Sequence, residues 1–524
     1  MGFVFTIIYV VLTIISPEQF GPNWATYHAL AYLAAVTALF SLPNIFARSS
    51  LKSAIQTYLL LAFIVAIGLS QIANHWMGGA LKAWLTFLPS AAIYFFIVAN
   101  VTTARRLKIV ILASVVSVFV LVGEGLYGYY GGGFLNDVFV MKFNYYSNEQ
   151  LVEQIPRLRG VGFLHDPNDF AQMLLIALPL SFIAWRQGRA ILNSVYVLVP
   201  TGILLWATYL THSRGALIGL AVLGLVAARR KLGTTASLAL GVFLVIAMLT
   251  IDFTGGRALS AGEGGDRLEA WATGLELFKS APVLGVGFGN FTDFNEITAH
   301  NSFVLALAEL GLLGSTIWLA LLVVTTMNLN RSIAQRESST IGREQGTETQ
   351  TETSTSSDLS FDADQQPFSE TPSVDRGDDA RPADIELVGV LRPEDQPLTE
   401  TLEYEGYDAS EEALSSSVDF PPARGTTKVT PATEIEYESV HELVLPNHWM
   451  VIIRLALISF MTTSWFLSRT YASTTYLVLG LATAAVALDQ SAAEEQGRDR
   501  WIFTTLAAEV LAIVFVYLVV RLRH

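Results

Sequence analysis

The chain has 524 residues, of which 52% are hydrophobic and only 15% are charged, and its mean hydropathy is +0.46. Soluble domains carry about 25% charged residues, so this composition excludes an ordinary soluble protein and predicts one that lies in a bilayer. The chain has no cysteine, which excludes disulfides, thiolate nucleophiles and Cys-bound metals. The net charge of −14 is unevenly spread, because residues 336–442 hold 26 acidic and 7 basic residues and the remaining chain sums to +5. We therefore expect a mildly cationic membrane protein with one acidic insert and no nucleic-acid partner.

Membrane spans are predicted where apolar runs approach the roughly 20 residues needed to cross a hydrocarbon core. In chain order they lie near 1–16, 25–46, 55–74, 83–99, 107–126, 170–185, 190–211, 215–228, 233–252, 301–327, 449–467, 472–488 and 501–520. The basic C-terminal residues Arg521 and Arg523 conflict with the orientation that thirteen spans would give them. The sequence therefore predicts an all-α polytopic membrane protein with about 12 to 13 transmembrane helices.

The short loops predict an orientation, because Lys and Arg accumulate on the cytoplasmic side of a membrane. Alternate loops carry nearly all of this charge: Arg48, Lys52, Arg105, Arg106, Lys108, Arg186, Arg189, Arg229, Arg230, Lys231 and Arg331. The N-terminus is then cytoplasmic. The polar loops 127–169, 211–214 and 253–300 face the outside, which is the periplasm in a cell with two membranes.

The acidic insert divides the chain into three parts. Residues 336–445 are rich in Ser, Thr, Glu, Asp and Pro and have no sustained apolar period. Such a segment cannot bury enough surface to offset its ordering entropy, so we expect a disordered cytoplasmic insert. It lies between a membrane domain at 1–335 and C-terminal transmembrane helices at 446–524.

Two polar motifs lie in the first outer loops. Arg157 and Arg159 precede Asp166-Pro167-Asn168, where Asp166 is a natural N-cap and Pro167 fits the first helical position. Capping explains the Asp-Pro pair but not the two arginines. In the second motif, a tight turn places Arg214 at the membrane surface, where a charge either snorkels from a helix end or serves a function.

Two further motifs lie in and after the loop 253–300. Residues 266–279 have the spacing of an amphipathic interfacial helix that starts with Arg267 and carries Trp271. Pro282 ends this helix, and the glycines of 285–289 allow close-approach backbone. They form no dinucleotide-binding motif, because no strand precedes them. His300 and Asn301 then open an apolar run that contains Glu309, although a single interfacial histidine is more often structural.

The order of these four motifs resembles the O-antigen ligase and polymerase superfamily over roughly residues 155–330. The motifs that carry the resemblance are Arg157-Leu158-Arg159-Gly160 with Asp166-Pro167-Asn168, Ser213-Arg214-Gly215, Arg267 with Trp271, Pro282 and Gly285 to Asn290, and His300-Asn301 with Glu309-Leu310-Gly311. The residues Trp465 to Arg469 resemble a late segment of the family more weakly.

The resemblance implies a metal-independent membrane glycosyltransferase of the GT-C type, without a cofactor, in surface polysaccharide biosynthesis. Such enzymes transfer a glycan from undecaprenyl diphosphate to an acceptor sugar hydroxyl at the outer face of the bacterial inner membrane. The acceptor would be a lipid, another repeat unit or a protein, and the residues do not distinguish these.

The resemblance also implies residue roles. Arg214 and Arg267 would bind the diphosphate and His300 would accept the acceptor's proton, since guanidinium forks suit phosphate and imidazole titrates near neutral pH. Arg159, Asn168, Asn301 and Glu309 would bind or position the substrates, with Glu309 orienting His300 or pairing with an arginine.

Two other classes of protein also fit parts of the sequence. A transporter or flippase of a polysaccharide pathway would show intramembrane charges such as Glu124, Glu309 and Arg454, but more often internal repeats as well. A scaffold that tethers partners through the insert would leave the outward arginines and His300 unexplained.

Overall fold

The apolar runs fold as helices. A computed structural model describes residues 1–17, 29–47, 54–147, 150–250, 261–355, 445–489 and 500–522. Five helices precede the loop 132–166: α1 (Gly2–Ile15), α2 (Ala29–Ala47), α3 (Ile55–Ala73), α4 (Met77–Asn100) and α5 (Ala104–Gly131). Among the described residues, eight helices are long and apolar enough to cross a membrane. The prediction of an all-α polytopic membrane protein is confirmed.

The loop between α5 and the next membrane-length helix contains the short helix α6 (Phe134–Phe139) and a β-hairpin that the sequence analysis did not predict. Strand β1 (Val140–Ser147) pairs antiparallel with β2 (Gln150–Leu158), and Met141 lies opposite Arg157. The hairpin brings the end of β2 back to α5, so Arg157 lies against the ends of the helices.

The central helices follow the hairpin. They are α7 (Pro167–Ser181), α8 (Ala190–Asn193), α9 (Val199–Leu210), α10 (Arg214–Thr250), α11 (Ala261–Ser280) and α12 (Ser302–Thr355). A π-helical turn, Ser194–Leu198, joins α8 to α9. Two of the long helices are interrupted, α10 at Gly233 (φ 75°) and α12 at Gly311 (φ 61°). Glycine adopts these left-handed angles without the clash that a Cβ would cause.

Three C-terminal helices complete the fold: α13 (Asn447–Ser464), α14 (Ser473–Ala487) and α15 (Arg500–Arg521). The core forms where α14 packs on α4 and α13, and where α13 packs on α7 and α10. Tyr94, Tyr476 and Phe460 are among its largest fully buried side chains. The C-terminal helices therefore hold together the helices that carry the sequence motifs.

The predicted acidic insert is only partly covered by the described residues. Met1–Gly346 and Thr433–His524 belong to one unit of the chain and Thr347–Ala432 to another. Helix α12 continues to Thr355, whereas residues 356–444 lie outside the described part of the chain. The disordered insert and the three-part division remain predictions.

The two ends of the insert meet at Arg336. Its Nε pairs with Asp489 at 2.9 Å, and its Nη1 donates to the carbonyl oxygen of Leu445 and, at 3.1 Å, to Asn447. The helix before the insert and the helix after it are therefore in contact without any help from the residues between them. A short loop can close such a gap at little entropic cost.

We expect the insert to be cytoplasmic and dispensable for at least part of the activity. A reporter fused within 350–430 should register as cytoplasmic, and protease added outside spheroplasts should leave the insert uncut. Deletion of 340–440 should preserve membrane levels, because Arg336 still joins α12 to Leu445. Cleavage from outside, or complete loss of activity at normal protein levels after the deletion, would contradict this expectation.

Candidate functional site

The first helix of the site, α7, starts with the predicted cap. The Asp166 carboxylate accepts hydrogen bonds from the Asn168 backbone N–H at 2.7 Å and from its side-chain Nδ2 at 2.9 Å, and Pro167 occupies the first turn. Arg157, which is buried, donates from Nη2 to Asn168 Oδ1 at 3.2 Å and from Nε to the Thr211 carbonyl at 2.9 Å. Arg157 therefore joins the first motif to the second.

The second motif is the predicted tight turn between α9 and α10. His212 in this turn has a φ of 49°, which is uncommon for a residue with a side chain. Arg214 is the first residue of α10. Its neighbours Ser213 and Gly215 line a small cavity together with Asn168 and Arg267, and Phe466 and Leu467 close it. Three of the four motifs thus meet around one cavity.

The third and fourth motifs are held together by a tryptophan. Helix α11 presents Trp271, whose indole N–H donates to the Ala299 carbonyl at 3.0 Å. This contact fixes the segment just before His300 against α11. Trp271 also packs edge-on against Trp465, with 6.4 Å between the ring centroids. Helix α11 is therefore fixed to the segment after α13 as well.

His300 lies within the electrostatic reach of Arg267 and Asp166. Burial lowers the pKa of His300 below its ordinary value, the Arg267 charge lowers that pKa further, and the Asp166 carboxylate partly opposes both effects. The imidazole is therefore neutral at neutral pH and able to accept a proton. His300 also has a φ of 46°, and uncommon backbone of this kind is typical of functional sites.

Asn301 has a structural role in addition to its predicted one. Its Oδ1 accepts from the backbone N–H groups of Phe303 at 2.9 Å and Val304 at 3.0 Å, which caps the first turn of α12. The residue is fully buried, and its Nδ2 has no hydrogen-bond partner among the described residues. One amide group therefore caps the helix and leaves a donor next to His300.

The structure does not bring Arg159 and Glu309 to the cavity. Arg159 donates from Nε to the Val138 carbonyl at 2.9 Å and from Nη2 to the Asp137 carbonyl at 3.0 Å, so its guanidinium lies against the start of the hairpin. The buried Glu309 accepts from the Phe291 backbone N–H at 3.1 Å, within the glycine-containing loop. The contacts of Glu309 orient that loop and do not include His300.

The glycine-containing loop, residues 282–291, fills the break in α12. The Val286 and Gly287 N–H groups donate to the carbonyl groups of Ala308 and Glu309, both at 3.0 Å, and the Leu312 N–H donates to the Pro282 carbonyl at 2.9 Å. The loop thus satisfies backbone groups that the break at Gly311 leaves without helical partners.

Helix α3 holds the other side of this loop. Gln71 Nε2 donates to the Phe288 carbonyl at 2.6 Å, and the Phe288 N–H donates to Ser70 Oγ at 3.1 Å. The aromatic ring of Phe288 also packs against the ring of Tyr471, with 4.5 Å between the ring centroids. The loop is therefore fixed between α3, the break in α12 and the segment before α14.

Gly285 should be intolerant of any side chain. Its φ is 68°, and a Cβ there would lie 2.2 Å from the Glu309 carbonyl carbon, which is backbone and cannot turn away. Gly285→Ala should therefore separate the loop from α12 and sharply lower both membrane levels and the melting temperature of the purified protein.

Gly289 provides the matched control for Gly285. Its φ is 78°, but a Cβ there would meet nothing within 4 Å. Gly289→Ala should show only the left-handed strain of about 1–2 kcal/mol. Equal losses of stability in the two variants would contradict the close approach of Gly285 to α12.

Two residues of the site, Asp169 and Arg469, were not among the predicted site residues. The buried Asp169 on α7 forms an ion pair with Arg469, which lies between α13 and α14. Arg469 Nη1 also donates to the Phe163 carbonyl at 3.4 Å. Burial lowers the pKa of Arg469 to about 10, and Asp166 partly opposes this change, so the guanidinium stays protonated at neutral pH.

The segment around Arg469 also holds the start of α12. The Arg469 N–H donates to Ser302 Oγ at 2.8 Å, and the Thr470 hydroxyl donates to the Ser302 carbonyl at 2.7 Å. On the other side of His300, the hydroxyl groups of Thr298 and Ser468 lie 2.9 Å apart. His300 is thus fixed on both sides by the segment between α13 and α14, which positions its ring relative to α7.

Residues 199–319, from α9 to the middle of α12, match the sequence model of the protein family described as O-antigen ligase. This region carries an O-antigen ligase domain. The matched stretch contains Arg214, Arg267, His300 and Glu309, and it confirms the resemblance to the O-antigen ligase and polymerase superfamily. No curated protein matches the chain.

The similarity of residues 199–319 to the O-antigen ligase family indicates the function in broad terms. The chain is a multi-pass membrane protein with an O-antigen ligase-like or polymerase-like function in surface polysaccharide biosynthesis, which implies a glycosyltransferase-like enzyme. The family uses lipid-linked glycan donors and acceptor substrates.

Proposed function

We propose that this O-antigen ligase-like protein transfers a glycan from undecaprenyl diphosphate to an acceptor sugar hydroxyl at the outer face of the bacterial inner membrane. The observation that carries the proposal is the cavity shared by Asn168, Ser213 and Arg267, with His300 beside Arg267. Residues from four distant parts of the sequence supply a cation, an amide, a hydroxyl and a neutral imidazole at one end of the helices.

The donor diphosphate is the leaving group, and its negative charge grows as the bond to the sugar breaks. Arg267 beside the cavity and Arg214 at its edge would stabilise that charge, because a guanidinium donates two parallel N–H bonds to phosphate oxygens. Asn168, whose Oδ1 is oriented by Arg157, would present its amide to a sugar or phosphate oxygen.

The acceptor hydroxyl is the nucleophile. Its oxygen would form a bond to the anomeric carbon while the bond from that carbon to the diphosphate oxygen breaks, and its proton would pass to His300. The lowered pKa of His300 supports this role, since the imidazole is unprotonated before the reaction. The diphosphate would leave as undecaprenyl diphosphate, held by the arginines.

A transporter or flippase remains the second candidate, because buried carboxylates such as Glu309 lie within membrane-length helices. The contacts of Glu309 favour the transferase, however. Its carboxylate is bonded to the glycine-containing loop and closes the break in α12 rather than lining an open path.

Glycan transfer by the purified protein tests the proposal. With an undecaprenyl-diphosphate-linked oligosaccharide and a lipid-core acceptor, we expect a new glycosidic bond and release of the lipid diphosphate. A ladder of products from donor alone would indicate a polymerase. Movement of the donor across proteoliposomes without bond formation would instead support the transporter.

Transfer should also persist in excess EDTA. Within the described residues, no group of three or more His, Asp and Glu side chains could hold a metal ion. The arginines and His300 would supply the charge stabilisation and proton transfer that a metal provides in other enzymes. Loss of transfer in EDTA that Mg²⁺ or Mn²⁺ restores would contradict metal independence.

A further inference from the structure

A large cavity lies at the end of the helices opposite to His300. It has a volume of about 1110 Å³ and lies between α7, α9, α10, α12 and α13. Its depth is lined by apolar side chains that include Leu178, Phe182, Leu220, Leu223, Val451 and Leu455. Because the lining helices lie in the membrane, this part of the cavity is at the depth of acyl chains.

The mouth of the cavity is polar. It is lined by Gln187, Lys231, Arg336, Glu337, Asn447 and His448. These residues lie at helix ends: Gln187 follows α7, Lys231 precedes the break in α10 at Gly233, and His448 lies in the first turn of α13. The cavity thus changes from apolar to polar along the helix axes, as an amphipathic lipid does.

The charges at the mouth favour an anion. Lys231 lines the mouth, and the Lys108 ammonium lies 5.8 Å from the Trp449 ring centroid, next to His448. Arg336 is paired with Asp489, and Glu337 is the other carboxylate there. Three cations against two carboxylates leave one positive charge, which a phosphodiester would neutralise.

We propose that this cavity binds one anionic phospholipid of the adjacent leaflet, with its phosphate at Lys231 and His448 and an acyl chain between α10 and α13. The charge bias of the loops predicts that this is the cytoplasmic leaflet. The site is separate from the transferase site at the other end of the helices, and the proposal does not depend on the transfer reaction.

The proposal predicts a preference between lipid headgroups. Delipidated full-length protein titrated with phosphatidylglycerol or phosphatidylethanolamine should retain one phosphatidylglycerol in native mass spectrometry and bind it several-fold more tightly. One lysine near a membrane surface contributes favourably to the free energy of binding an anionic lipid. Lys231→Gln should therefore weaken phosphatidylglycerol binding about fivefold. Lys82→Gln, the same change beside Trp76 and outside the cavity, should leave binding unchanged.

A second pair of variants tests the apolar part. Leu223→Trp would fill the cavity, whereas Ile218→Trp adds the same side chain to an exposed position on the same helix outside the cavity. We expect only Leu223→Trp to abolish the bound lipid. A thermal melt of each variant checks that it folds, and Lys231→Gln tests the site without any change of volume.

Three results would overturn the proposal. Equal retention of the two lipids would show ordinary bilayer contact. A bound lipid that is unaffected by Leu223→Trp would lie elsewhere. A photo-crosslinker at Val451 that captures residues 356–444 in place of lipid would show that the chain itself occupies the cavity.

Discussion

Replacement of His300 by Asn should lower the rate of glycan transfer by about 10²–10⁴-fold, the range for loss of one acid–base group. Asn tolerates the left-handed backbone that His300 adopts at φ 46°, so this variant removes the imidazole without adding strain. His300→Ala removes the same group but adds about 1–2 kcal/mol of strain. Binding of the lipid-linked donor should change little in either variant, because the proposed contacts to the donor diphosphate come from Arg214 and Arg267.

His75→Asn is the matched control. His75 also has a left-handed backbone, with a φ of 60°, but it is exposed at the end of α3. Its replacement should leave transfer near normal. A purified and folded His300→Asn protein with near-normal transfer would remove His300 from the mechanism.

The pH profile gives an independent test of the same group. A base must be unprotonated, so transfer should rise with pH through the His300 pKa and level off by neutral pH. Burial and Arg267 place that pKa below its ordinary value, and Asp166 opposes them. Asp166→Asn keeps an oxygen that can cap α7 and removes only the charge, so it should move the midpoint of the profile to lower pH. An unchanged midpoint would mean that another group titrates.

The sequence predicted most helices and their ends because these depend on local chemistry. Apolar length identifies the spans, and Asp166-Pro167 identifies the start of α7, since cap and first turn are adjacent in the chain. The turn before Arg214 and the amphipathic helix with Trp271 were equally local features. The structure confirms each of these elements.

The hairpin and the break in α12 were not predicted, whereas the interruption of α10 at Gly233 lies at the boundary predicted between the spans 215–228 and 233–252. In β1 and β2 the strand signal lies inside a polar loop between apolar runs, and pairing of the two strands decides the structure. The break in α12 depends on the glycine-containing loop, which supplies partners to the carbonyl groups of Ala308 and Glu309. A hydropathy pattern carries no information about such a partner.

The contacts of the site are long-range, which explains what the sequence analysis missed. Asp169 and Arg469 are 300 residues apart in sequence and meet only through the packing of α13 on α7. Asp169 directly follows the Asp166-Pro167-Asn168 motif and Arg469 ends the segment Trp465 to Arg469, but neither motif indicates that the two side chains pair. Glu309 was predicted to orient His300 or pair with an arginine, but its carboxylate binds the glycine-containing loop, because α12 carries it away from His300.

Lysine should be a poor substitute for Arg214 and Arg267. If each guanidinium binds the diphosphate as a fork, Arg→Lys should cost nearly as much transfer as Arg→Ala, about 10²–10³-fold for a lost donor to developing charge. At position 267 the pH profile distinguishes the effect of charge from that of geometry. Arg267→Lys keeps the positive charge that acts on His300 and should leave the midpoint of the pH profile in place. Arg267→Gln removes that charge and should raise the midpoint. Arg186→Lys, on the connection after α7 at the opposite end, is the control and should be silent. Normal transfer with Lys at both positions would show that charge attraction alone holds the donor.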